Sequence, residues 1–222
     1  MVLTWDDTGK RLYETGTDRG VLYPQTGENG AYAAGVAWNG LTKVTESPDG
    51  AEETALYADN GKYLSLLSTE NFKGTIEAYT YPDEFSVCDG SAQLAKGVTV
   101  GQQTRAPFGI AYRTLIGNDV KASDFGYKLH LVWGAKASPA ERAYETVNDT
   151  PAALTFSWAF TTTPVETGDV SLKKTASMVI DSTTADPTKL KALEDMLYGS
   201  GEAVSPKLPT PAEVKAMFAT AG

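Results

Sequence analysis

Apolar and polar residues alternate with a period of two through the middle of the chain. Phe108, Ile110, Tyr112, Thr114 and Ile116 share one face, with Ala111 and Arg113 opposite. Tyr127, Leu129, Leu131 and Trp133 oppose Lys128, His130 and Val132. Leu154, Phe156, Trp158 and Phe160 oppose Thr155, Ser157, Ala159 and Thr161, and Lys174, Ala176, Met178 and Ile180 oppose Thr175, Ser177 and Val179. This is the pattern of half-buried antiparallel strands, one face in a core and the other toward water or a neighbour. Opposite faces rich in Thr, Ser and Lys favour a sandwich or barrel over a buried parallel sheet.

Turn signals support the same class. Asn29-Gly30, Asn39-Gly40, Asp49-Gly50 and Asn60-Gly61 recur about every ten residues, and Asp89-Gly90 follows. Such dipeptides tolerate the positive φ of tight hairpins. Asn39-Gly40 interrupts an apolar segment from Val36 to Val44, so it marks either a turn or a bulge within a strand. Helices are fewer. Asp186-Pro187 offers a cap with proline at the first helical position, Leu190, Leu193 and Leu197 recur at helical spacing, and Gly199 is placed to end the helix. A second short helix is expected from Pro211 to about Ala219, with Val214, Met217 and Phe218 as its apolar stripe. Ser138–Tyr144 is a candidate for one or two further helical turns, and 199–209 reads as a linker. The chain is therefore expected to be mainly β, an antiparallel sandwich or barrel with one flanking helix over 187–198. Residues 1–200 form the β domain, and 201–222 form a C-terminal extension with a short helix.

Charge adds an asymmetry. Residues 1–90 carry 15 Asp and Glu against 6 Lys and Arg, whereas residues 91–222 carry 13 of each. The net −9 thus lies in the first two-fifths of the chain, as either solvated acidic loops or a one-sided surface that repels polyanions. Cys88 is the single cysteine, so no intrachain disulfide and no Cys-based metal site is expected. The opening Met1–Asp7 lacks a basic region followed by an apolar stretch, so no secretory leader is expected, and the sequon Asn148-Asp149-Thr150 is taken as chance.

Candidate chemistry is sparse. His130 is the lone histidine, on the polar face of a predicted strand beside Lys128, and reads as a surface or interface residue. Cys88 has no basic neighbour within five positions to activate its thiol, and reads as a buried structural cysteine. The adjacent acids Asp6-Asp7, Glu52-Glu53 and Asp83-Glu84 would point to opposite faces of a strand, a poor start for a glycosidase pair. Phosphate loop, dinucleotide fingerprint and EF-hand are all missing from the sequence. No catalytic activity, cofactor or metal is expected. Tyr79, Tyr81 and Phe85, around Pro82-Asp83-Glu84 beyond a predicted strand from Thr75, suit a core or a subunit contact equally.

Several segments resemble a known family in order along the chain. They are Thr17–Pro24, Gly35–Leu41, Leu56–Asn60, Gly74–Phe85 (with Tyr81-Pro82-Asp83-Glu84-Phe85 the most specific), Tyr112–Asp119, Val147–Asp149 and Phe156–Pro164. Together, from about residue 10 to about residue 200, they resemble the major tail proteins of long-tailed bacteriophages of Gram-positive hosts.

The resemblance implies a β-sandwich or barrel flanked by a helix, assembling as hexameric rings that stack into a tail tube. It implies a virion location after assembly in the host cytoplasm. The implied partners are further copies of the chain, a tape-measure protein, a tail terminator and tail-tip or baseplate proteins, with DNA crossing the lumen unbound. The acidic, turn-rich stretch from Glu46 through Asp49, Glu52 and Glu53 to Asp59 is the candidate loop for ring-to-ring contact, and Glu77 is the candidate lumen acid. The rival readings are a tail terminator or tube-like secretion component, and a carbohydrate-binding or hydrolytic β-sandwich.

Overall fold

The computed structural model describes residues 3–146, 149, 152–201 and 204–219. Asn148 and Thr150 of the sequon, and the Val147-Asn148 part of the resemblance, lie outside the described residues. The elements run in chain order as strands β1 (Leu12–Pro24), β2 (Val36–Ala37), β3 (Leu41–Glu46), β4 (Glu53–Ala58), β5 (Gly61–Leu67) and β6 (Lys73–Ala78), then a short helix α1 (Ser86–Asp89). Strands β7 (Ala92–Ala95), β8 (Val98–Val100), β9 (Phe108–Asn118), β10 (Ala122–Ala137), β11 (Phe156–Thr162) and β12 (Ser177–Asp181) follow, then helices α2 (Pro187–Tyr198) and α3 (Pro211–Phe218). The fold is mainly β, and every strand pairing is antiparallel.

The main sheet runs β2-β1-β9-β10-β11-β6-β3, with β12 branching from β10. Its first and last strands are two halves of one extended segment. Trp38 N–H still bonds to Gly20 of β1, and two residues later the Gly40 carbonyl accepts from Tyr79, beyond the end of β6. Asn39-Gly40 is thus a break inside a strand that changes partners, and the sheet closes into a barrel. Strand β10 makes the other transition. Residues 128–132 pair with β12 and residues 135–137 with β11, and the register with β9 slips between Val132 and Ala135. Gly134 lies at that slip with φ of 60°, where a Cβ would stand 2.4 Å from the Thr163 carbonyl oxygen. Only glycine fits such an approach.

Two cores result, one on each face of the shared strands. Leu22, Ile110, Tyr112 and Val132 point into the barrel with Trp38, Ile76, Phe85, Phe108, Trp158 and Phe160. Val21, Tyr23, Ala111, Leu129, Leu131 and Trp133 point outward beneath Leu190, Leu193 and Leu197 of α2 and Val214 of α3. The outer face of β1, β9 and β10 is therefore covered by the chain's own helices, where the alternation alone left water or a neighbour open. Burying each large side chain there contributes roughly 1.5–3 kcal/mol. The helices start where expected: Asp186 accepts from the Thr188 and Lys189 amides, and Thr210 with Glu213 forms a capping box. The stretch before α3 is pinned, with Trp133 Nε1 donating to Pro209 at 2.9 Å and the Lys207 amide donating to Met196 at 2.8 Å.

Three local expectations are corrected. Asp89-Gly90 closes α1 instead of turning a hairpin, because Phe85 plugs the barrel and the chain coils briefly to pass it. Residues 138–144 form no helix; Ser138 instead bonds Ala159 and prolongs the line of β10. The last predicted strand begins at Ser177, since Thr175 is engaged in a bridge to Val165.

Candidate assembly interface

The stretch from Glu46 to Asp59 is irregular over 47–52, whereas Glu46 ends β3 and Glu53–Ala58 is strand β4. Strands β4 and β5 form a separate two-stranded sheet that pairs only with itself. At its tip Asp59 and Asn60 take φ of 50° and 62°, the left-handed pair that a two-residue hairpin turn requires. At its base the Asp49 and Asn71 backbones bond reciprocally, Asp49 pairs with Lys73, and Ser68 N–H donates to Glu52 at 3.0 Å. Glu53 accepts from Lys62 and Ser65 across the strands.

The hairpin's apolar residues are left largely uncovered by the described residues. Leu56, Leu64 and Leu66 share one face, and Tyr57, Tyr63 and Leu67 lie on the other. All six are exposed, Tyr57 by 74% and Leu67 by 72%. An isolated two-stranded hairpin is marginal in water, so this one calls for cover. The signal was present in the alternation of Thr54, Leu56, Leu64 and Leu66 around Asp59-Asn60-Gly61, but the acids of the stretch outweighed it. A smaller hairpin, β7–β8, exposes Leu94 and Val98.

The five acids proposed for ring contact therefore divide. Asp59 is at the arm's tip, Glu53 within β4, and Glu52 and Asp49 at its base. Glu46 ends β3 and turns into the mouth of the barrel. There it accepts from the Tyr112 hydroxyl and lies 3.2 Å from His130 Nδ1, while His130 Nε2 is 2.9 Å from Thr114 Oγ1. The Tyr112 and His130 rings stack at 4.6 Å. His130 hydrogen bonding holds the Glu46 carboxyl below the usual range against the opposing effect of burial, with Tyr112 assisting. His130 is thus a largely buried network residue and not a surface one; the inward face of β10 carries it, two residues from Val132. Glu77 lies half-buried on the outward face of β6, 3.4 Å from Lys43. Cys88 is buried, and desolvation first, then Asp89, pushes its thiol up to about 12.

Folding also redistributes the charge. Acids of the first 90 residues pair with cations of the remainder: Asp18 with Arg113, Glu14 with Lys128, Asp89 with Arg142. The acidic segment is therefore not a wholly uncompensated surface. Among the described residues there is no cluster of three His, Cys, Asp or Glu side chains placed to hold a metal ion. Phe85 settles into the barrel core, Tyr81 packs half-buried against it, and Tyr79 remains exposed.

No family model and no curated protein sequence matches the chain. Among solved structures, it is similar at a TM-score of 0.35 and 10% identity to a chain of the sheath–tube complex of an extracellular contractile injection system, PVC, in the extended state, covering 73% of this chain and 88% of that one. It is similar at a TM-score of 0.36 and 7% identity to a chain of the anti-feeding prophage baseplate, covering 80% and 97% respectively.

Proposed function

We propose that this chain is a structural subunit that assembles with copies of itself into stacked hexameric rings, forming the tail tube of a long-tailed phage, and that it acts without catalysis. The observation that carries the reading is the β4–β5 arm, a hairpin with exposed apolar residues on both faces that the other described residues leave uncovered. The ordered sequence blocks that resemble major tail proteins supply the kind of assembly. A ring closes through heterologous contacts, whereas ring upon ring stays open-ended, so a tape-measure protein and a tail terminator set the length, and tail-tip proteins start the tube. DNA passes through the lumen without specific binding. In this arrangement Glu77 is the lumen acid, its charge tempered by Lys43.

Negative-stain electron microscopy of purified protein over a concentration series, with light scattering, tests the reading. Rings or hollow tubes are the expected outcome. Protein that stays monomeric at every concentration, and also with tail-tip complex and tape measure added, overturns it.

A further inference from the structure

A pocket of about 250 Å³ lies between α1, the segment 101–105 and the segment 139–142, with Trp158 as its floor. Six buried side-chain polar atoms lack a hydrogen-bond partner among the described residues, and three of them belong to residues that line this pocket: Asp89 Oδ1, Arg105 Nε and Trp158 Nε1. The Asp89 side chain is 4% exposed, its other oxygen already bonded to Arg142. Trp158 is 1% exposed. Leaving such groups buried without a partner is destabilising. Gly90 is what lets Arg105 close over the site: its φ is 83°, and a Cβ there would stand 2.9 Å from Arg105 Cζ. The larger cleft of about 650 Å³ beside α2 is different, since its Arg113 is paired with Asp18 and its Tyr127 hydroxyl with Glu194.

Two unpartnered N–H donors and one unpartnered carboxylate oxygen specify a ligand that accepts twice and donates once. A primary carboxamide does this: its oxygen has two lone pairs and its nitrogen two hydrogens. The pocket also carries two guanidinium groups against one carboxylate, so an acid beside the amide is favoured. Asp59-Asn60 at the arm's tip presents that combination, with both residues exposed. The position also fits. The arm is bonded to β6 at Lys73, whereas Arg142 stacks on Phe156, which pairs with Ala78 at the other end of β6. An arm at one end and its receptor toward the other make a contact that repeats from copy to copy.

We propose that this pocket receives the arm tip of a second copy of the chain, Asn60 accepting from Arg105 Nε–H and Trp158 Nε1–H and donating to Asp89. The proposal rests on the self-assembly reading above and names the surface on which the arm docks.

The test mixes two full-length variants, Ala58→Cys beside the tip and Ser91→Cys at the pocket, with a short bis-maleimide; the unmodified protein, whose Cys88 is buried, is the control. A cross-linked heterodimer is expected. Adding Asn60→Asp to the tip partner sets carboxylate against carboxylate and lowers the yield about tenfold or more. Adding Asp89→Asn to the pocket partner then restores it. Arg105→Lys, which keeps the charge but lacks the Nε donor, lowers the yield without touching the Asp89–Arg142 pair. Thermal melts establish that each variant is folded. Tubes by microscopy with no cross-link, or a cross-link indifferent to both Asn60→Asp and Arg105→Lys, overturn the docking site and leave the tube reading standing. Neither cross-link nor tubes overturns both.

Discussion

Leu22 and Leu67, or Tyr112 and Tyr57, are like residues with unlike fates. In the barrel Leu22 and Tyr112 are enclosed among aromatic rings, and the Tyr112 hydroxyl is spent on Glu46. In the arm Leu67 and Tyr57 face water, and among the described residues neither strand pairs with a second sheet. The barrel closes because its end strands are one continuous segment and because Phe85 fills its interior. The arm is two strands with no third among the described residues, and its apolar groups gain little from burial within the fold. The comparison separates the parts that fold this protein from the part proposed above to join it to others.

The sharpest way to break the comparison is to remove the arm. Replacing 53–67 with a short Gly-rich link across Glu52 and Ser68, which are already bonded to each other, should abolish tubes while leaving the melting temperature unchanged. Normal tubes from that variant would refute the arm's role, and loss of the fold would show that it supports the barrel after all. Residues 47–58 are a poorer choice, since removing them takes the Asp49 clasp and leaves β5 unpaired. The converse change is Phe85→Ala. Phe85 touches Trp38, Trp158, Phe108 and Tyr81 at ring-centroid distances of 4.7 to 6.2 Å, so the cavity should cost about 3–5 kcal/mol in urea denaturation.

Smaller effects sharpen the boundary. Thr210→Ala removes one arm of the α3 capping box and should cost about 1 kcal/mol, with assembly retained; a larger loss would mean that α3 holds more of the second core than Val214 suggests. The barrel mouth gives a pH signature. The Glu46 carboxyl titrates below its ordinary value in the fold, so it adds stability above that value and loses it as pH falls through the folded one. The urea midpoint of the wild type should therefore fall more steeply than that of Glu46→Gln between roughly pH 5 and pH 3. Parallel acid limbs would show that the network with His130 and Tyr112 adds no net stability.

Much of the fold was legible because period-two alternation and helix caps are local. The 108–116, 127–133 and 156–160 faces, the Asp186-Pro187 start and the Leu190, Leu193, Leu197 stripe all lie where the residues put them. Strand β1 is not legible in the alternation because Gly16 and Arg19, both at positive φ, break its register with β9 twice. The candidate site was half legible. Its place in the chain and its turn could be found from Asp59-Asn60-Gly61, but its character was misjudged, since charge in a segment says nothing of what stands across from it. Asp18, Glu14 and Asp89 look like free acids along the chain and meet Arg113, Lys128 and Arg142 in space.

The sequence by itself determined the class of fold, the two C-terminal helices and the position of the arm, because each depends on residues within a turn or a strand of one another. Tertiary structure alone decided that Asn39-Gly40 closes a barrel, that His130 is inside its mouth, and that Asp89, Arg105 and Trp158 share one unfilled pocket. Those outcomes depend on residues 16 to 84 positions apart, and no local pattern encodes which of them will meet.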